Sequence, residues 1–481
     1  MAMKMWKYIN EILENFRNCF SRQASFQWFV VIVIGSMLRT DTLGVTSVIR
    51  DLALSPKLYE TMLNFFRSSS WSLEGITDCW CQIVRKCAPV YMENGKVILV
   101  GDGVKQAKEA RKMAGVKKLH QESENSSKAE YIFGHMFGAI GVLIGDNQKL
   151  FCVPLFINLQ DGIKTICSWI NPDERQESHI VQMIQNGVRM TKIFGQSILL
   201  LDRYFLSTKA LVALKTLQST GIQLLHILTK AKQSCVAYEK VHQPKSGKGR
   251  PRKKGKAIKL ITLFETAIAS FKKTNVLIYG KNEQVSYYCI NLLWGQGLYQ
   301  ELRFVLVKYN GAQSILVTTD LTLSPEEIIR LYSYRFKIEC TFRELKQVIG
   351  CFGYHFWSKS MPKLNRYLKK EDKNPIDLVE DNNAKKNIIL TVKAIEGYVM
   401  CGAIALGLLQ MIAVKFSTPL NQNKLRYLRT VSNQIASEAT VAYYLRKNIF
   451  LFMAKTKYYG ITKIINDKQM EPELCEDLEA S

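Results

Sequence analysis

Residues 331–350 read LYSYRFKIECTFRELKQVIG, and the spacing of their apolar residues predicts a helix. The residues before them favour a helix start, because Ser324 suits an N-cap, Pro325 suits the first helical position and two glutamates follow. Gly350 is placed to end the helix. An apolar stripe roughly 60° wide would face a core. It consists of Leu331, Ile338, Phe342, Leu345 and Ile349.

A second, polar stripe runs beside the apolar one. At about 100° per residue, four polar residues project within about 60° of one another. They are Tyr332, Arg335, Glu339 and Lys346. One carboxylate would thus lie between two cations and a phenol, at the margin of the buried face. In an isolated helix, the same pattern is more often a solvated face with intrahelical ion pairs.

The overall charge favours a polyanionic partner. The 481 residues include 66 lysines and arginines against 41 acidic residues, which gives a formal net charge of +25. Nucleic acid is the first candidate for such a partner, and an anionic membrane surface is the competitor. With 47% hydrophobic residues, the chain can form two or three domains with sizeable cores.

Several features favour a cytoplasmic location. Residues 398–414 are uncharged but include two glycines and a glutamine, so they predict a buried helix rather than a membrane span. The first residues carry acids where a signal peptide would have its apolar core. The 12 cysteines follow no repeating frame and form no zinc-type pairs, which suits a reducing compartment.

Two apolar runs are each followed by an aspartate. Residues 96–101 lead into Asp102, and residues 197–201 lead into Asp202. Both runs predict buried strands, which would hold the carboxylates rigidly while the following loops admit a substrate. Taken alone, Asp102 would more often be part of an ordinary turn at a strand end.

The pattern Tyr-x2-Arg-x3-Glu-x6-Lys at residues 332–346 resembles the signature of bacterial insertion-sequence transposases, whose catalytic residues are two aspartates and a glutamate. The segments at Asp102-Gly and at residues 201–204, Leu-Asp-Arg-Tyr, resemble the two aspartate regions of these DDE transposases. The wide separation of Asp202 from Glu339 leaves room for a large insert before the glutamate helix, as in this family. The resemblance covers residues 97–357.

The resemblance implies an α/β fold with a ribonuclease H-like core, interrupted by a β-rich insert and flanked by helical N- and C-terminal regions. A hairpin at residues 130–157, helices at 178–194 and 207–218 and a strand at 222–228 fit that core. The expected domains are a helical N-terminal domain (1–90), the first part of the core (91–229), the β-rich insert with a basic loop (230–320), the catalytic-helix part of the core (321–358) and a helical C-terminal region with an acidic tail (359–481).

The N-terminal helices could dock on DNA or form a plain helical scaffold. The basic residues between these short predicted helices would serve such docking, and they are Arg39, Arg50, Lys57 and Arg67. Nothing in these residues fixes a helix-turn-helix.

The resemblance assigns roles to the motif residues. Asp102, Asp202 and Glu339 would be catalytic and would hold two Mg²⁺ ions, with Mn²⁺ able to replace them. Tyr332, Arg335 and Lys346 would bind a DNA phosphate.

Residues 245–256, KSGKGRPRKKGK, contain no apolar residue to bury and predict a mobile basic loop. We expect it to contact phosphates or a minor groove, although a purely solubilising loop is an alternative. The candidate contacts are Arg250, Arg252, Lys253 and Lys254.

Trp294 lies between β-type runs and just before two glycines of the predicted insert. It would receive an unstacked base if element ends are closed through a DNA hairpin, or it would pack in the core.

The expected activity is Mg-dependent cutting of DNA at inverted-repeat ends, followed by joining of those ends to target DNA. The expected partners are these ends and a target duplex, with a homodimer assembled on DNA and no membrane. A bacterial or archaeal cytoplasm, with association to the nucleoid, is the expected location. A DNA-binding protein of transposase ancestry without cleavage is one alternative, and a basic structural or membrane-surface protein is another.

Overall fold

The computed structural model describes residues 2–41, 44–121, 129–147, 149–172, 177–219, 221, 223–241, 252–365, 373–417, 435–456 and 460–470. The helices are α1 Ala2–Glu14, α2 Gln23–Leu38, α3 Thr46–Asp51, α4 Tyr59–Arg67, α5 Leu73–Cys87, α6 Lys164–Ile170, α7 His179–Phe194, α8 Thr208–Leu217, α9 Leu263–Thr266, α10 Pro325–Ser333, α11 Lys337–Gln347, α12 Asn382–Lys415, α13 Glu438–Lys455 and α14 Gly460–Asn466. The strands are β1 Met92–Glu93, β2 Lys96–Ala107, β3 Lys117–His120, β4 Tyr131–Gly145, β5 Leu150–Leu159, β6 Ser197–Leu200, β7 Leu225–Ala231, β8 Val236–Tyr238, β9 Ala257–Lys259, β10 Lys272–Ile278, β11 Lys281–Trp294, β12 Gln300–Tyr309 and β13 Ala312–Thr318.

Every strand of the described residues belongs to one mixed sheet, so the protein is an α/β protein. In its first half the strands follow the order β5-β4-β2-β6-β7. The pairs β5/β4 and β4/β2 are antiparallel, whereas β6 runs parallel to both β2 and β7. The apolar run of β2 is buried on both faces, as expected for a central strand. The hairpin predicted at residues 130–157 is confirmed as β4 and β5.

The sheet continues without a break into its second half. Strand β13 pairs antiparallel with β7, and β12, β11 and β8 follow across the sheet. A second, smaller apolar cluster covers this half, and it includes Leu292, Leu302 and Phe304. The strands of residues 225–318 are therefore hydrogen-bonded to the strands that carry the aspartates.

Helix α12 lies at the centre of the main apolar core. It is long and apolar enough to cross a membrane, but 94% of its most apolar window is buried inside the protein. Gly407 permits close packing against α5, because a Cβ atom there would lie 2.4 Å from the Trp80 ring. The Trp80 indole in turn donates a hydrogen bond to the Pro154 carbonyl of β5 at 2.8 Å. The buried helix predicted around residues 398–414 is confirmed.

Arg39 is a correction to the sequence analysis, because it does not face solvent or DNA. Its side chain is only 2% exposed. One Nη atom donates to the Gly44 carbonyl at 2.9 Å and to the Tyr398 hydroxyl at 2.8 Å, and the other donates to the Ile349 carbonyl. Arg39 therefore ties the N-terminal helices to the end of the glutamate helix, since a buried guanidinium requires several acceptors.

The helix predicted from Ser324 to Gly350 is interrupted, which is a second correction. The start is confirmed, because Ser324 and Glu327 form a capping box at the beginning of α10. A 3-10 turn, Tyr334–Phe336, then separates α10 from α11. Tyr334 is buried there, edge-on to Tyr91. Successive residues are about 120° apart in a 3-10 turn, compared with about 100° in an α-helix. Over three residues this difference rotates α11 by about 60° relative to a continuous helix.

Candidate active site

Strand register places Asp102 and Asp202 next to each other. The parallel pairing of β2 with β6 ends at Val100 and Leu200, and each aspartate lies two residues beyond. Asp202 follows β6, and its Oδ1 accepts a hydrogen bond from the Arg203 amide at 2.7 Å. The sequence predicted that this strand ends at Asp102, and that prediction is wrong. Antiparallel pairing with β4 extends β2 to Ala107.

Arg335 connects the glutamate helix to the first aspartate. Its Nη1 donates to Oδ2 of Asp102 at 3.1 Å, and its Nη2 donates to Oε1 of Glu339. The side chains of Arg335 and Asp102 are 16% and 23% exposed, whereas that of Glu339 is 44% exposed. The ion pairs therefore lie at the edge of the core, with Glu339 on the solvent side.

The acidic groups and Arg335 shift one another's pKa values. Burial raises the pKa of Asp102 to about 6, Arg335 opposes this rise, and the charges of Asp202 and Glu339 add to it. Burial disfavours the charged form of Arg335, but Asp102 and Glu339 outweigh that effect and raise the pKa of Arg335. Mutual repulsion among three carboxylates is what a bound cation would relieve.

The donor set fits a hard divalent cation, because all three carboxylates offer oxygen ligands. Across the described ranges, however, no group of three or more Asp, Glu, His or Cys side chains forms a preassembled metal site. Arg335 provides the physical reason, since it already pairs with Asp102 and Glu339. A bound cation would compete with Arg335 for the negative charge of these two carboxylates.

Comparison with known families finds one similarity, and it overlaps most of this site. Residues 170–353 match the family described as the transposase DDE domain. Over these residues the chain is similar to transposase DDE domains. The matched range includes Asp202, Arg335 and Glu339, and Asp102 precedes it. No curated protein and no solved structure matches the chain.

The predicted phosphate-binding residues are not equally close to the carboxylates. Tyr332 is half-buried, and its pKa is raised by burial, while Arg335, Asp202 and Asp102 also act on it electrostatically. Lys346 is exposed in the last turn of α11, seven residues beyond Glu339. That separation is about two helical turns, or roughly 10 Å along the helix.

Only the end of the predicted basic loop lies within the described residues. Arg250 lies outside them, whereas Arg252 and Lys253 are described and exposed. The Lys254 ammonium lies 4.0 Å from the Tyr238 ring centre and 5.0 Å from that of Tyr299. Cation–π contacts of this kind hold Lys254 against the sheet.

Trp294 is half-buried at the end of β11 rather than in a loop. It packs against the second apolar cluster, which also contains Cys235. This placement is the one expected for a packing residue.

Two pairs of aromatic side chains near the carboxylates had no predicted role. Tyr279 and Phe336 are both exposed, and their ring centres lie 6.4 Å apart beside the 3-10 turn. Tyr204 and His179 form a second pair next to Asp202. Tyr204 was visible in the motif around Asp202, but His179 is distant in sequence from every motif, so only the fold could associate it with the site.

Proposed function

We propose that the protein is a DNA transposase of an insertion sequence, which cuts at inverted-repeat ends and joins them to target DNA. The carrying observation is the register of β2 and β6, which sets Asp102 beside Asp202, together with the Arg335 link to Glu339. Rigid elements thus converge on one point from three distant parts of the chain. Phosphodiester hydrolysis and transesterification need such a fixed set of carboxylates.

The strand order supports a ribonuclease H-like core for this domain. Strands β5, β4 and β2 form an antiparallel meander, and β6 and β7 add to β2 in parallel. Antiparallel first strands followed by parallel ones are what the resemblance implies. We place the β-rich insert in the second half of the sheet.

Asp102, Asp202 and Glu339 would hold two Mg²⁺ ions, with Mn²⁺ as a substitute. When bound, such ions activate the attacking hydroxyl and stabilise the leaving oxygen of a phosphodiester. The carboxylates must be ionised for this purpose, and Arg335 keeps Asp102 closer to that state by opposing the effect of burial on its pKa.

The remaining motif residues bind and orient DNA. Arg335 can exchange its carboxylate partners for a phosphate, because a guanidinium pairs with either in the same two-pronged geometry. Burial raises the pKa of Tyr332, which keeps its phenol protonated and able to donate a hydrogen bond to a phosphate oxygen. Lys346 would contact the backbone farther along the strand.

DNA is the partner in this proposal. The formal net charge of +25 favours a polyanion, and Arg250, Arg252 and Lys253 add local positive charge. Two protomers would pair on the element ends, and the protein would act in the cytoplasm on the nucleoid.

A DNA-binding protein of transposase ancestry that does not cleave is the second candidate. The ion pairs of Arg335 with Asp102 and Glu339 favour it, since they occupy the carboxylates that a cation would need. The two candidates differ in one assay, in which the protein is incubated with DNA that carries its own flanking repeats, with Mg²⁺ or with EDTA. Mg-dependent nicks at the repeat ends support the transposase, and binding without nicks supports the second candidate.

A further inference from the structure

A cleft of about 370 Å³ opens beside the two aspartates, and none of the residues that line it belongs to α11. Asp102, Asp202, Tyr204 and His179 are among the residues that line it. Its volume is at the low end of ligand pockets, which span roughly 300–1,000 Å³. It therefore suits a single nucleotide better than a base pair with two backbones.

Tyr204 presents a flat, accessible ring in this cleft. It is 50% exposed, although it follows Asp202 by only two residues. Its ring is stacked on that of His179, with 6.2 Å between centres and 28° between planes. Buried Phe205 supports both rings from below, at 5.5 Å from Tyr204 and 5.2 Å from His179. Stacking on one side leaves the rest of the Tyr204 ring open to a ligand.

His179 is held in place by neighbours that are themselves fixed. Its Nδ1 bonds the side-chain oxygen of Gln160, which is buried at the end of β5. Burial lowers the pKa of His179 to about 4, so its ring is neutral near pH 7. Gly103 lets this ring approach the backbone of β2 next to Asp102, because a Cβ atom at Gly103 would lie 3.0 Å from Nε2 of His179. The two rings thus form a preorganised shelf.

Three lysines also line the cleft. Lys105 projects from β2, where its Nζ donates to the His120 carbonyl at 2.7 Å. Lys117 and Lys118 follow on β3, and Lys117 pairs with Asp161 at the surface. A phosphate backbone is the ligand that matches these ammonium groups, and an aromatic ring matches the face of a base.

We infer that the Tyr204–His179 shelf stacks one unpaired base of the DNA strand beside the bond to be cut, with the adjoining phosphates against the three lysines of the cleft. The base must be unpaired, because both faces of a base inside a duplex are already stacked. This inference rests on the proposed function, whose site it extends by one nucleotide.

The test measures binding of short duplexes, in EDTA so that no cutting occurs. One probe has a single-stranded overhang with 2-aminopurine next to the repeat end, a second has an abasic residue at that position, and a third is blunt. We expect quenching of 2-aminopurine by the wild type and roughly tenfold weaker binding of the overhang by Tyr204→Ala, the loss typical of one base–aromatic contact. Tyr204→Phe and Tyr204→Trp should bind it like the wild type.

The abasic and blunt probes separate stacking from other roles. Tyr204→Ala should bind both as well as the wild type does, and Tyr443→Ala, a change at an exposed tyrosine of α13, should bind all three normally. Unchanged affinity of Tyr204→Ala for the overhang would overturn the inference, and so would an equal loss on the abasic probe. Nicking in Mg²⁺ is scored separately. Tyr204-dependent binding without nicking would overturn the proposed function alone, and nicking with no Tyr204 effect would overturn the shelf alone.

Discussion

Arg335 donates a hydrogen bond to Asp102 at 3.1 Å across 233 residues of sequence. The same guanidinium pairs with Glu339 one helical turn away. The link keeps α11 in register with β2, because a nearly buried cation is stable only beside its counter-charges. It also lowers the charge repulsion among the three carboxylates while no cation is bound.

Replacing Arg335 by glutamine should shift the pH profile of nicking to higher pH. The pKa of Asp102, already raised to about 6, would rise further without the opposing cation. Since Asp102 must be ionised to hold a cation, the pH profile of nicking should move upward. Arg343→Gln, at an exposed arginine of the same helix, should leave the profile in place. Identical profiles for wild type and Arg335→Gln would disprove the electrostatic role.

Glu339→Gln should abolish Mg-dependent nicking while folding and DNA binding persist. The change removes one ligand charge at nearly constant volume, at a side chain that is 44% exposed. Glu344→Gln is the matched control, because Glu344 lies on the same helix and pairs with Arg343 instead. Vigorous nicking by Glu339→Gln would refute its assignment as a catalytic residue.

Stability should fall as the pH drops from about 6.5 to 4. Burial lowers the pKa of His135 to about 4, and His135 bonds the Tyr354 hydroxyl at 2.6 Å and the Ala114 carbonyl at 2.8 Å. Between these pH values the unfolded chain takes up a proton that the folded chain refuses, so protonation favours unfolding.

Urea unfolding between pH 4 and 7 measures this effect, with His135→Gln as the comparison. The variant should be less stable near pH 7, and its stability should change less steeply with pH. His179, whose pKa is also lowered to about 4 by burial, would retain part of the slope. Parallel curves for the two proteins would remove His135 as a source of the pH dependence.

Replacing Arg250, Arg252 and Lys253 by alanine should weaken DNA binding for all sequences alike. Each lost phosphate contact lowers the slope of log affinity against log salt by about 0.9. Lys254→Ala should change the slope least, because its ammonium faces Tyr238 and Tyr299. Substitution is cleaner than deleting residues 245–256, since the Gly255 amide bonds the Glu239 carbonyl at 2.8 Å. If the triple substitution leaves the slope unchanged, the loop does not contact phosphates and acts only as a spacer.

Trp294→Ala should lower thermal stability and reduce first-strand nicking and any hairpin formation together. The side chain packs on the second apolar cluster, and truncating a large buried aromatic costs about 3–5 kcal/mol, less for one that is half-buried. Differential scanning calorimetry and a strand-resolved cleavage gel test this. Normal stability with selective loss of hairpins would instead make Trp294 a base receptor.

Local chemistry made several elements predictable. The capping box at Ser324, the β4–β5 hairpin and the buried segment of α12 each depend on residues close in sequence. The acidic residues of the site were also visible, since Asp102 and Asp202 each follow an apolar run. A short pattern suffices where hydrogen bonds and side-chain periodicity are themselves short-range.

Only the tertiary structure decided the remaining features, because they depend on contacts between distant segments. Arg39 resembles a surface cation in sequence, but the Ile349 carbonyl and the Tyr398 hydroxyl become its partners after folding. The break in the glutamate helix accompanies the burial of Tyr334 against Tyr91, which no helical periodicity encodes. The sequence by itself thus determined which acidic groups the site contains, whereas the packing of remote elements determined their burial, their pairing with Arg335 and therefore their charge.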